Sequence, residues 1–181
     1  MRGKTRVSKG KQMKPNFFVF CEGETEVEYV KYLRSLYRVP IQVIPKKSKS
    51  NITVEDIERS KRDYVGTEQD RVFLMFDLDV DGMLIHLMGI PNAILLVSNP
   101  CIELWFLLHF QDRKSSLSTE ECFHMMRRVS NGYRKGSISY VDKQVLASNE
   151  DIAVARAREL IEYENPSSTV YRLIELLKQY K

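Results

Sequence analysis

Phe17-Phe18-Val19-Phe20-Cys21-Glu22-Gly23-Glu24-Thr25-Glu26 and Val72-Phe73-Leu74-Met75-Phe76-Asp77-Leu78-Asp79-Val80-Asp81-Gly82 share one layout: an unbroken apolar run, then a cluster of carboxylates. A short continuous apolar run reads as a strand buried on both faces, the situation of a strand in a parallel sheet. The carboxylates sit where those strands end. Two unit charges ~4 Å apart repel by roughly 4 kcal/mol at an effective dielectric of about 20. A divalent cation is the natural remedy, and an all-oxygen donor set selects Mg²⁺, with Mn²⁺ able to substitute.

Working outward, helix and strand patterns alternate. Val27, Val30, Leu33 and Tyr37 mark one face of a helix over Glu24–Arg38, which Pro40 ends. Ile41–Ile44 reads as a strand, followed by a basic, polar loop to Asn51. Thr53 and Asp56 form a capping-box pattern for a second helix, running to about Tyr64 and terminated by Gly66. Val72–Phe76 is the third strand, Met83–Met88 with Gly89-Ile90-Pro91 a short connector, and Ala93–Ser98 the fourth strand. Alternation of this kind predicts an α/β fold, with about four mostly parallel strands and crossover helices. Asn99-Pro100 then reads as the start of a helix through Phe110, with Pro in the first position. This helix is apolar almost all round and must be deeply buried. Ser118 to Glu121 is a second capping box, for a helix to about Val129. Asn131-Gly132 is a turn, Asp142–Ala147 a short helix, Asp151–Tyr163 an amphipathic helix and Thr169–Lys181 the last one. The organisation predicted is a basic tail over 1–15 and one domain over 16–181, divided into an α/β core (16–112) and a helical extension (113–181).

The net charge of +4 on 181 residues hides an asymmetry. Arg2, Lys4, Arg6, Lys9, Lys11 and Lys14 fall in a segment with no acid. Without those six, 22 of the 28 basic residues remain against 24 acidic ones, so the body is slightly acidic. The tail reads either as an arm for nucleic-acid phosphates or as a solubilising extension. Ile102–Phe110 is far too short to span a bilayer, which takes about 20 apolar residues. The N-terminus lacks the apolar segment of a secretory signal. Cys21, Cys101 and Cys122 are odd in number and lack metal-type spacing, so they read as reduced core thiols of a cytoplasmic protein.

Ligands of open parallel sheets bind at the carboxyl ends of the strands. Glu22 follows the first strand, Asp77 the third and Ser98-Asn99 the fourth, with Glu103 four residues beyond Asn99. The strand reading therefore brings all of them to one sheet edge. Asp77, Asp79 and Asp81 alternate, so an extended segment would point them to one side. Together with Glu22 they are the candidate metal ligands. Glu22 could bind metal or move a proton. Glu24 and Glu26 could do no more than complement a helix dipole. Glu103, an acid in an apolar helix, either pairs with backbone amides near the helix start or joins the site. His109 and Trp105 read as packing residues.

The Glu22-Gly23 step with an acid at Glu26, and Asp77-Leu-Asp79-Val-Asp81, resemble the acidic motifs of Toprim domains. Ser98-Asn99-Pro100-Cys101-Ile-Glu103-Leu-Trp105-Phe-Leu-Leu-His109-Phe110 and the later Pro166-Ser-Ser-Thr169-Val-Tyr171-Arg-Leu resemble the RloB-like family. The likeness spans roughly residues 16–177. It implies a Toprim-like, Rossmannoid core, Mg²⁺-dependent cleavage of DNA or RNA, and a role in phage defence (abortive infection or restriction-linked loci) beside an ATPase partner. By position, it implies Glu22 as general acid/base, Asp77 and Asp79 as catalytic metal ligands, Asp81 and Glu26 as auxiliary residues, and Asn99 and Glu103 as motif positions. One departure stands out: only Met83–Met88 separates Gly82 from Gly89, where a fuller crossover helix is expected, so the motif blocks could be poorly spaced.

Two other functions fit parts of the pattern. A non-catalytic subunit that binds nucleic acid or regulates an ATPase would account for the tail and the basic stretch Arg127–Lys135. The Phe76-Asp77-Leu78-Asp79 segment also resembles the nucleophile motif of haloacid-dehalogenase-like phosphatases. That motif normally follows the first strand, and it leaves Glu22 without a task.

Overall fold

The computed structural model describes residues 15–45 and 51–180. The tail expected over 1–15 lies outside them except for Pro15, which is buried. The basic loop before Asn51 lies outside them between Pro45 and Asn51. Four strands, β1 (Phe17–Cys21), β2 (Ile41–Pro45), β3 (Arg71–Met75) and β4 (Ala93–Leu95), form a parallel sheet in the order β2-β1-β3-β4. β1 is central. Phe17 faces Ile41 on one side and Arg71 on the other, and Cys21 faces both Pro45 and Met75.

The apolar runs are unbroken because both faces of the sheet are covered. Successive residues of a strand point to opposite faces, and here they divide cleanly between two cores. Phe17, Val19 and Cys21 of β1, with Phe73 and Met75 of β3, join a core built from α1 (Glu24–Tyr37) and the C-terminal helices. Phe18, Phe20, Leu74 and Phe76 join a second core with Ile52, Ile57, Met83 and Leu87, on the side of α2 (Val54–Lys61) and α3 (Met83–Met88). The fold is thus the α/β, Rossmannoid arrangement expected, with helices gathered at the C-terminal end.

The connector Met83–Met88 is not structureless: it is α3, a short helix packed by Met83 and Leu87 rather than by a capping side chain. Despite its length it returns the chain so that β4 lies parallel beside β3. The motif blocks therefore stay in step. The Ser98 N–H donates to the Phe76 carbonyl (3.2 Å) and the Leu78 N–H to the Ser98 carbonyl (2.9 Å).

Past β4, the expected single strand to Ser98 divides. Ser98–Asn99 is a separate β5, paired antiparallel with β6 (Ser167–Ser168), which lies beyond any sequence expectation. Thr169 fastens this join: its hydroxyl accepts from the Val97 N–H and donates to the Leu95 carbonyl, both at 2.9 Å. α4 (Ile102–Phe110) starts later than expected, with Cys101 as N-cap, so Pro100 precedes the helix instead of opening it. The reason is tertiary: the Asn99 amide is committed to the distant Tyr163 carbonyl (2.9 Å), and the helix start is capped from elsewhere. α4 is buried along Ile102–His109 and packs against α5 (Thr119–Val129), α6 (Tyr140–Ser148) and α7 (Glu150–Arg158). α6 opens on a Ser139/Asp142 capping box, two residues before the expected start. α7 stops at Arg158 rather than Tyr163, because Ile161 is exposed and the chain turns back toward β5. α8 spans Tyr171–Lys178, and α2 ends at Lys61, short of Tyr64 and Gly66. Among the described residues no helix is long and apolar enough to cross a membrane. Cys21, Cys101 and Cys122 are buried free thiols.

Candidate functional site

β1 and β3 are adjacent and parallel, so the residues that follow them emerge together. The Glu22 N–H continues the ladder to the Met75 carbonyl (3.1 Å), and the Asp77 N–H donates to Glu22 Oε2 (3.1 Å). Two residues 55 positions apart are thereby joined at the carboxyl edge of the sheet. Asp77 Oδ1 accepts the Ile102 N–H at 2.8 Å, satisfying one of the free amides at the start of α4 from a strand rather than from the helix's own N-cap. The carboxylate also complements the positive end of the α4 dipole.

Glu26 and Glu103 complete the group. Glu26, buried in the first turn of α1, folds back over Gly23: a Cβ on Gly23 would lie 2.8 Å from Glu26 Oε2. A side chain at position 23 would therefore need the Glu26 carboxylate to give way, while the backbone angles are ordinary. Glu103 is 1% exposed and accepts the Tyr133 hydroxyl at 2.9 Å. It neither caps α4 nor lies on the surface. It is a buried carboxylate with a specific donor, one helical position beyond Ile102.

These residues line a cleft of ≈ 290 Å³ bounded by Glu22, Gly23, Glu24, Thr25, Glu26, Asp77, Ile102, Glu103, Lys135 and Gly136. Among the described residues that line it, five are carboxylates and one, Lys135, is a cation, so acids crowd the cleft. The effect is visible in the acids themselves. Asp77 is pushed well above the usual carboxylate range, first by burial and then by the charges of Glu26, Glu103, Glu22 and Asp79. Glu26 is pushed up to about 7, mainly by burial, with Glu103 and Glu22 adding to the rise and backbone amides opposing it.

Asp79 and Asp81 do not line this cleft. The extended conformation ends near Leu78, and the chain turns through Asp81 and Gly82 into α3, so both side chains are exposed rather than aligned with Asp77. Asp79 stays near enough for its charge to act on Asp77. The Asn99 side chain is turned to Tyr163, away from the carboxylates. Trp105 and His109 pack as expected: the Trp105 indole donates to the Tyr29 hydroxyl (2.7 Å), and the His109 ring stands edge-on to Trp105. Among the described residues no three His, Cys, Asp or Glu side chains converge as a ready-made metal site. The donor set nevertheless suits a hard cation, its candidate ligands being carboxylates.

Three contributors are invisible at the sequence level. Tyr133, Lys135 and Gly136 arrive from the segment between α5 and α6, where the Gly136 N–H donates to Thr25 Oγ1 (2.9 Å) and docks the turn on the start of α1. The hint in the sequence is that they fall in or beside the basic, acid-free stretch Arg127–Lys135.

A model of the RloB-like proteins matches residues 17–177, nearly the whole described chain. This chain belongs to the RloB-like family. No curated protein and no solved structure matches it. For this RloB-like protein, the matched span takes in both acidic clusters, the Ser98–Phe110 block and the Pro166–Leu173 return.

Proposed function

We propose that this RloB-like protein is a Mg²⁺-dependent phosphodiesterase that cleaves DNA or RNA in a phage-defence module beside an ATPase partner. The observation that carries the reading is the Asp77 N–H to Glu22 Oε2 bond, which sets two carboxylates at one sheet edge in a cleft they share with Glu26 and Glu103. Asp77 and Glu22 would hold the cation, while Asp79 and Asp81, exposed outside the cleft, would reach it only if the turn after Leu78 swung toward Asp77. Bound there, Mg²⁺ would supply charge neutralisation at a phosphate undergoing in-line displacement. The chain's own part is to keep Asp77 and Glu22 in register through the β1–β3 ladder, to hold Glu26 and Glu103 behind them, and to offer Glu22 for proton transfer. The defence role and the ATPase partner follow from the family likeness.

Variant choice matters because Asp77 also caps α4. Asn at 77 keeps an oxygen acceptor for Ile102 while removing the charge, whereas Ala would remove both. Asp77→Asn and Glu22→Gln are each expected to lower Mg²⁺-stimulated cleavage of an end-labelled strand by at least about a hundredfold, a loss typical for a missing catalytic group, with melting no lower than that of the wild type. Equal cleavage by the wild type and both variants would overturn the assignment.

One observation favours a second reading, a nucleic-acid-binding subunit without catalysis: no ready-made trio of ligands is assembled among the described residues. Strand binding undiminished in Asp77→Asn, with no cleavage by the wild type in Mg²⁺ or Mn²⁺, would select it.

A further inference from the structure

The body outside the tail is slightly acidic, yet Cys122–Val141 holds Arg127, Arg128, Arg134 and Lys135 and no acid at all. Arg59 and Lys61 pair with Asp56 and Glu58, and Arg172 pairs with Glu162. Among the described residues none of Arg113, Arg127, Arg128, Arg134 and Lys135 is in an ion pair. The cations are nonetheless placed. Lys135 lines the acidic cleft, and its ammonium lies 5.9 Å from the centroid of the half-buried Phe123 ring. The Arg127 guanidinium lies 5.8 Å from the same centroid. One aromatic ring, standing edge-on to Tyr133, is thus approached by two cations. Arg128 follows at once and lines a groove of ≈ 350 Å³ with Arg113, Gln111 and Met125, into which no acid projects.

We propose that a nucleic-acid strand leaves the acidic cleft across the outer face of α5, gripped through its backbone phosphates by Lys135, Arg127, Arg128 and Arg113. The occupant follows from charge complementarity. A row of unpaired cations that begins at a carboxylate cleft suits a polyanion whose scissile phosphate sits in the cleft and whose flanking phosphates lie outside it. The inference rests on the phosphodiesterase reading for what the cleft does, but the grip itself is a binding property and is tested without cleavage.

The test is fluorescence anisotropy of fluorescein-labelled oligo(dT) and oligo(rU) with the full chain in EDTA, over a salt series. Each phosphate contact on a single strand contributes about 0.7 to the slope of log K against log salt. Arg127→Gln/Arg128→Gln is therefore expected to reduce the slope by about 1.4, equivalent to about 25-fold weaker binding at 0.1 M salt. Arg59→Gln/Lys61→Gln, which removes the same charge from α2, is expected to change neither quantity. The relative affinity for the two probes reports whether DNA or RNA is preferred. The proposal is overturned if the wild type binds neither probe, if the Arg127/Arg128 variant keeps wild-type affinity and slope, or if the α2 variant weakens binding as much. Arginine-dependent binding without Mg²⁺-dependent cleavage would leave the track standing and remove the phosphodiesterase. Cleavage with arginine-independent binding would do the reverse.

Discussion

At the scale of single residues, the cleft is an electrostatic conflict held in place by packing. Glu26 shows this most directly, because it is 4% exposed and its pKa is pushed up to about 7 from a usual value near 4.5. A carboxylic acid whose folded pKa is raised stabilises the fold fully below its unfolded pKa, and that contribution is lost as pH rises through the folded value. For metal-free protein the window runs from about pH 4.5 to about pH 7, and the shift corresponds to something on the order of 3 kcal/mol. Melting in EDTA across this range is expected to show wild type losing stability relative to Glu26→Gln as pH rises. Parallel pH curves for the two proteins would count against a buried, charge-crowded Glu26. Residues of this kind were partly legible beforehand. Glu22, Glu26, Asp77 and Glu103 were marked by their positions after apolar runs or within one. Tyr133 and Lys135 were not, because nothing local to a Tyr or a Lys in a polar segment states which distant carboxylate it will meet.

At the scale of elements, legibility followed the strength of local chemistry. β1 and β3 announce themselves by apolar runs, and α2 and α5 by capping boxes at Thr53/Asp56 and Ser118/Glu121, all present in the structure. Elements decided by tertiary contact did not. The start of α4 is set by Asp77, 25 residues upstream of Ile102, and β6 is two residues long, too short for any periodicity. The turn between α5 and α6 belongs to the same class. Gly136 sits at φ +74, where an L-residue costs about 1–2 kcal/mol, and a Cβ there would lie 2.9 Å from Glu24 Oε2. Gly136→Ala is expected to lower stability by at least about that amount in urea titrations, since the flexible Glu24 carboxylate can yield but the backbone angle and the Glu24 Cβ, 3.2 Å away, cannot. An unchanged midpoint would show that the turn is free to leave α1.

At the scale of the whole molecule, the two cores are separated by the sheet, and the site lies where the sheet, α1, α4 and the Tyr133–Gly136 turn converge. The alternating order of strands and helices was enough to place Glu22 and Asp77 together, because parallel neighbours must end at the same edge. It was not enough to place Asp79 and Asp81, whose orientation depends on where the chain leaves the strand direction. The helical part is more than an appendage, since it returns to hydrogen-bond the end of the sheet. Thr169→Val tests this. The variant keeps the shape at a site 1% exposed but leaves the Val97 N–H unpaired, expected to cost about 1–3 kcal/mol. Chemical denaturation with an unchanged m-value and a lower midpoint is the anticipated result, and no shift would mean that the return strand contributes little.

The Thr169 fastening also carries a consequence in time. Ser98 and Asn99 find their strand partners about 70 residues later in the chain, and Asp77 reaches Ile102 through the segment those partners hold. A ribosome delivers residues in order, at about 5–20 per second. The acidic edge made by Glu22 and Asp77 is therefore synthesised seconds before the segment that locks it. During that interval the nascent chain has its carboxylates but not their final frame. On the proposed reading, the site would be complete only once residues 167–170 have emerged.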